Sequence, residues 1–148
     1  MGTDDFFKKR RAERKKRKYE YRQANTNSFL IVTEGEKTEP LYFKGIQKKI
    51  KEKMNGRIDI VETPVIDIYG KGCGTGKLIE TTEQLVKDSK VLYQNVWIVF
   101  DKDDFEDFDE AIRLGKEKGY QIAWSNQSFE YWLYLHFNYG DTALHRDN

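Results

Sequence analysis

Apolar residues along this chain fall into short strand-length runs separated by stretches with helical spacing. Residues 28–33, SFLIVT, form the first run, and Tyr42, Phe43, Ile46 and Ile50 then recur every three or four positions, as on one face of a helix. Thr38 is positioned to cap that helix, and Pro40 falls in its first turn, where a missing N–H breaks no bond. A second strand is expected within residues 58–69, interrupted near Pro64. The glycine-rich segment GKGCGTGK follows, then a helix from about Lys77 with Leu78, Ile79, Leu85 and Val86 on one side. VWIVF, residues 96–100, is a continuous apolar run, the pattern of a central strand buried on both faces. Phe105, Phe108 and Ile112 mark another helix, YQIAWS a fourth strand, and SFEYWLYLHF an aromatic helix. Four strands alternating with four helices predict an α/β fold: a mostly parallel four-stranded sheet flanked by helices.

Charge divides the chain. Residues 1–22 carry ten Lys/Arg against four Asp/Glu, net +6, and the remainder sixteen against twenty-one, net −5. Residues 8–18, KKRRAERKKRK, lack apolar periodicity and repel themselves, so they read as a basic arm with salt-sensitive affinity for polyanions or as a solvating tail. The expected organisation is an arm over residues 1–26, one α/β domain over 27–140 and a short tail over 141–148. A single cysteine, Cys73, excludes an internal disulfide framework. No run approaches the roughly 18 apolar residues of a membrane span, and the basic start has no apolar segment behind it, so a cytoplasmic protein without membrane contact is expected.

In an open α/β sheet, ligands bind beyond the carboxyl ends of the strands. There the first strand delivers Glu34, Gly35, Glu36 and Lys37, the second the glycine loop, the third Asp101, Lys102, Asp103 and Asp104, and the fourth Ser125 and Asn126. Asp101 and Asp103, one residue apart, leave the same face if the chain stays extended. Two converging carboxylates need a cation, a shared proton or solvent, and Mg²⁺ or Mn²⁺ suits an oxygen-only site. Asp104, Glu106, Asp107 and Asp109 read more simply as compensation for a helix N-terminus.

TEGEKTEPLYF after the first strand resembles the glutamate–glycine motif of Toprim (topoisomerase–primase) domains, and VFDKDD resembles their DxD motif. Together with the GxGxGT segment and SNQSFEYWLYLHF, the set is similar to the RloB family over residues 28–137. The resemblance implies magnesium-dependent phosphoryl transfer on nucleic acid, DNA or RNA, tRNA included. It implies metal-ligand roles for Asp101 and Asp103, a ligand or general-base role for Glu34, and a ligand role for Glu39. RloB proteins lie near restriction and phage-defence loci, which by association suggests a defence role, with a defence-system partner protein or a homo-oligomer as possible assemblies. One departure concerns Gln127: RloB-like sequences usually read SNP where this chain reads SNQ, and they usually continue beyond residue 148, so the expectation is either a truncated chain or one without a C-terminal element that completes the site.

Lys37 and Lys102 are candidates to steer a phosphate or are ordinary surface lysines. Asn126 and Glu130 are candidates to bind substrate or a second metal, or else serve the start of the last helix. His136, at helical spacing with Phe129, Trp132 and Leu133, reads as a packed, hydrogen-bonded histidine, and Trp97, Trp124 and Trp132 as core. The glycine segment fails both GxxxxGK[ST] and GxGxxG, leaving a tight connection as its simplest role and a backbone phosphate nest as the other. Besides the nuclease, a non-catalytic nucleic-acid-binding or assembly module with a degenerate core accounts for the same sequence. A DxD nucleotide-sugar transferase is a third class. An aspartyl-phosphate phosphatase is disfavoured because Phe105 stands where DxDxT needs threonine.

Overall fold

The computed structural model describes residues 27–55, 65–102 and 108–139. Within them the chain runs β1 (Ser28–Thr33), α1 (Thr38–Met54), β2 (Val65–Gly70), α2 (Thr75–Asp88), β3 (Asn95–Lys102), α3 (Phe108–Glu117), β4 (Gln121–Asn126) and α4 (Phe129–Tyr134). All pairings are parallel, in the order β2-β1-β3-β4. The predicted α/β sheet flanked by helices is therefore the observed one.

Leu30 and Val32 of β1 and Ile98 and Phe100 of β3 share one face of the sheet, as strand alternation requires. Leu78 and Ile79 of α2 and Ala111 of α3 close over them and form the core. Each fully buried Leu or Ile contributes about 1.5–3 kcal/mol relative to exposure, so this layer dominates the stability of the fold. On the opposite face lie α1 and α4. Gln47 of α1 donates to the Ile66 carbonyl at 2.6 Å, and Tyr42 meets Phe129 of α4 edge to face with centroids 5.5 Å apart.

Local expectations shift by a residue or two. α1 starts at Thr38, so Lys37 holds the cap position and no side chain caps it; Pro40 does occupy the first turn. α2 starts at Thr75, two residues before the expected Lys77, with Gly74 at the cap. β2 begins immediately after Pro64, and residues 56–64 lie outside the described residues. Trp124 and Trp132 are not core: they are 48% and 47% exposed, because β4 is an edge strand and α4 is only six residues long. His136 is packed as expected, its ring bonded to the Trp132 carbonyl at 2.9 Å and to the Tyr42 hydroxyl at 3.3 Å, although it sits at the surface.

The connection from β1 leads to β2 on one side, and the next connection passes back to β3 on the other. The strand order thus reverses between β1 and β3. A crevice opens at the carboxyl end of such a switch point, because the two loops leave in opposite directions.

Candidate functional site

Glu34 follows β1 and Asp101 lies near the end of β3, so both border the switch point. The Glu34 N–H donates to the Val99 carbonyl at 2.9 Å, which extends the β1–β3 ladder by one step. The Asp101 N–H in turn donates to Glu34 Oε2 at 3.3 Å, and the Ser125 hydroxyl of β4 donates to Asp101 Oδ1. A cleft of about 480 Å³ opens here, lined by Glu34, Gly35, Glu36, Lys37, Thr38, Glu39, Gly72, Asp101 and Glu130.

The loop after β1 is held in place by the glycine segment after β2. Lys71 N–H donates to the Thr33 carbonyl at 3.1 Å and Gly72 N–H to the Glu34 carbonyl at 2.8 Å, while the Thr33 hydroxyl donates to the Gly35 carbonyl at 2.8 Å. A Cβ on Gly70 would come within 2.6 Å of the Gly35 oxygen and the Pro40 ring. Gly72 has φ of 56°, with the Glu36 side chain packed over its Cα. Close approach and a left-handed turn explain the glycines here, and the segment acts as the tight connection that braces the acidic loop.

Glu39, in the first turn of α1, is only 8% exposed, and its carboxylate lies directly over Gly35, leaving no room for a Cβ there. That contact gives a steric reason for glycine after Glu34. Burial pushes the Glu39 carboxyl above its ordinary range, and the negative charges of Asp101 and Glu130 push it further; backbone N–H groups of Glu39 and Gly35 partly offset this. Asp101 of β3 and Glu130 of α4 thus both bear on Glu39 across the cleft.

The predicted residues separate into groups. Glu34, Glu39, Asp101, Glu130 and Lys37 line the cleft. Lys102 and Asn126 do not: they pair in register one step beyond Asp101 and Ser125, and alternation sends them to the other face. There the Lys102 ammonium stands over the Phe108 and Trp124 rings at 5.6 and 5.8 Å. Asp103 lies outside the described residues, as do Asp104, Phe105, Glu106, Asp107, residues 8–18 and the tail. Asp109 falls in the first turn of α3, where its charge favours the helix N-terminus. Ser125, which shares the face of Asp101, was not singled out from sequence; Glu36 was named only as part of the loop.

Every acidic donor at the cleft is a carboxylate oxygen, the chemistry a hard divalent cation prefers, and the mutual repulsion felt at Glu39 is what such an ion would relieve. The donors fit Mg²⁺ or Mn²⁺ in kind. Among the described residues, no three His, Cys, Asp or Glu stand close enough to form a ready-made cage.

No helix among the described residues is long and apolar enough to cross a membrane. No curated protein and no solved structure matched the chain. A protein-family model described as RloB-like protein matches residues 29–148, which takes in the four strands, the acidic loop and the aromatic helix together. The chain belongs to the RloB-like family.

Proposed function

We propose that this chain is a metal-dependent phosphoryl-transfer enzyme, a nuclease of Toprim-like design acting on DNA or RNA, tRNA included. The observation that carries the reading is the placement of Glu34, Glu39, Asp101 and Glu130 around one cleft at the switch point of a parallel sheet. Membership of the RloB-like family supports reading nucleic acid as the substrate class and phage defence in the cytoplasm as the setting.

Glu34 and Asp101, joined by Asp103 through the DxD resemblance, would hold Mg²⁺ or Mn²⁺, with Glu39 and Glu130 on the same cleft wall. The ion would supply positive charge to a phosphodiester oxygen and lower the pKa of water. The protein's own contribution is placement. The bond from the Asp101 backbone N–H holds the Glu34 carboxylate against the end of β3, and Glu34 accepts the proton of the attacking water if it is not itself a ligand. Lys37, on the cleft rim, attracts the phosphate.

A second reading has one observation in its favour: no three described acidic groups are already within ligating reach. In it the chain is a nucleic-acid-binding or assembly module with a degenerate core. The discriminating experiment incubates purified protein with plasmid, single-stranded DNA and total tRNA at low salt with Mg²⁺ or Mn²⁺, alongside Glu34→Gln, Asp101→Asn and EDTA. Cleavage by the unmodified protein that falls by about 10²-fold or more in each control is the expected result. Binding without turnover, equal in all samples, would establish the second reading instead.

A further inference from the structure

Asp101 ends an apolar strand, and its carboxyl group rotates about a broad terminal torsion with no sharp minimum of its own. A carboxylate that must meet a cation in one orientation therefore needs an external partner to set its plane. Parallel pairing between β3 and β4 places Asp101 opposite Ser125, on the same face of the sheet. The Ser125 hydroxyl donates to Asp101 Oδ1, while the Asp101 backbone N–H is engaged by Glu34. The side chain and backbone of Asp101 are thus anchored from two neighbouring elements, one on each side of β3. Asn126, the next residue of β4, pairs with Lys102 and sits on the other face, so it is in no position to substitute.

We infer that Ser125 is a positioning residue, whose hydroxyl fixes the Asp101 carboxylate in the orientation that a divalent cation requires. The inference rests on the metal-dependent reading above and deepens it. Partners that orient a ligating carboxylate typically contribute 10- to 100-fold in metal affinity, although they never touch the metal. A hydroxyl is the group suited to this: it donates to the carboxylate without bringing a competing charge into a cleft that already holds several acids.

The test is Mn²⁺ binding to the full chain, measured by calorimetry and by the loss of the free-ion paramagnetic resonance signal. Four proteins are compared: the unmodified chain, Ser125→Ala, Ser125→Thr and Thr82→Ala. Thr82 is fully buried in α2, bonded to the Leu78 carbonyl at 2.8 Å and remote from the cleft, so its variant reports general destabilisation. Ser125→Ala is expected to weaken Mn²⁺ binding by about tenfold or more. Ser125→Thr, which keeps the hydroxyl, is expected to remain within about threefold, and Thr82→Ala to melt earlier with unchanged affinity. Unaltered Mn²⁺ affinity in Ser125→Ala would overturn the positioning role alone, as would equal weakening in Ser125→Ala and Thr82→Ala. An unmodified chain that binds no Mn²⁺ would overturn the metal-dependent reading and this role with it.

Discussion

Gln127 is the only non-glycine among the described residues with a positive φ, 71°. The Ser128 N–H donates to the Asn126 carbonyl at 3.0 Å, closing a three-residue turn around it. That turn joins β4, whose Ser125 bonds Asp101, to α4, which carries Glu130, so local strain sits between a partner of one cleft residue and another cleft residue. A side chain with a Cβ costs about 1–2 kcal/mol in the left-handed region, and glycine loses roughly 0.5–1 kcal/mol of that advantage through its unfolded-state entropy. Gln127→Gly should therefore stabilise the protein by about 0.5–1 kcal/mol, seen as a melting temperature higher by about 2–4 °C. In Gln127→Pro the proline ring holds φ near about −65° and cannot follow this turn. It should lower stability by about 2 kcal/mol or more, and a thermal melt of the two variants beside the unmodified chain checks both signs.

Between elements, Glu83 of α2 binds Lys87 one turn along at 2.8 Å and Lys118, just past the end of α3, at 2.6 Å. The bond from Lys118, followed by that from Lys87, holds its carboxyl far below the ordinary 4.5, at about 2. The unfolded chain then binds more protons than the folded one in that interval, so this contribution to stability is complete above about pH 4.5 and is lost as pH falls towards 2. Unmodified protein should lose melting temperature more steeply over that window than Glu83→Gln, the two curves converging at its acid end; parallel curves would show that the pair does not couple α2 to α3. The elements themselves were legible because β1 and β3 are unbroken apolar runs and α1 keeps its apolar spacing. The start of α2 was not, since Gly74 offers no capping side chain as a signal. Nor was the choice of Ser125 over Asn126: which of them faces Asp101 depends on the β3–β4 register, a property of two distant segments brought together. Helical spacing marked Trp132 as apolar, but spacing cannot tell whether another element exists to cover it.

Across the whole molecule, the site and the attraction for its proposed substrate are separated. The cleft gathers five carboxylates and one lysine, Lys37, in a body whose net charge is −5, so without bound metal it repels a polyanion, whereas residues 1–22 carry +6. On the proposed reading the basic arm concentrates nucleic acid and the cleft acts on it, two roles that salt distinguishes. Each phosphate contact made by Lys or Arg contributes about −0.7 to −0.9 to the slope of log affinity against log salt, through counterion release. Replacing the nine Lys and Arg of residues 8–18 by Gln in the full chain should flatten that slope by several of these increments and weaken binding most at low salt. Glu34→Gln should leave the slope unchanged while abolishing turnover. Fluorescence anisotropy of a labelled oligonucleotide over a salt series, with cleavage followed in the same samples, separates the two variants. If the arm variant regains full cleavage at saturating protein, the arm serves capture alone and the chemistry resides in the cleft; an unchanged slope would place the phosphate contacts on the body, with Lys37 the first of them to be replaced.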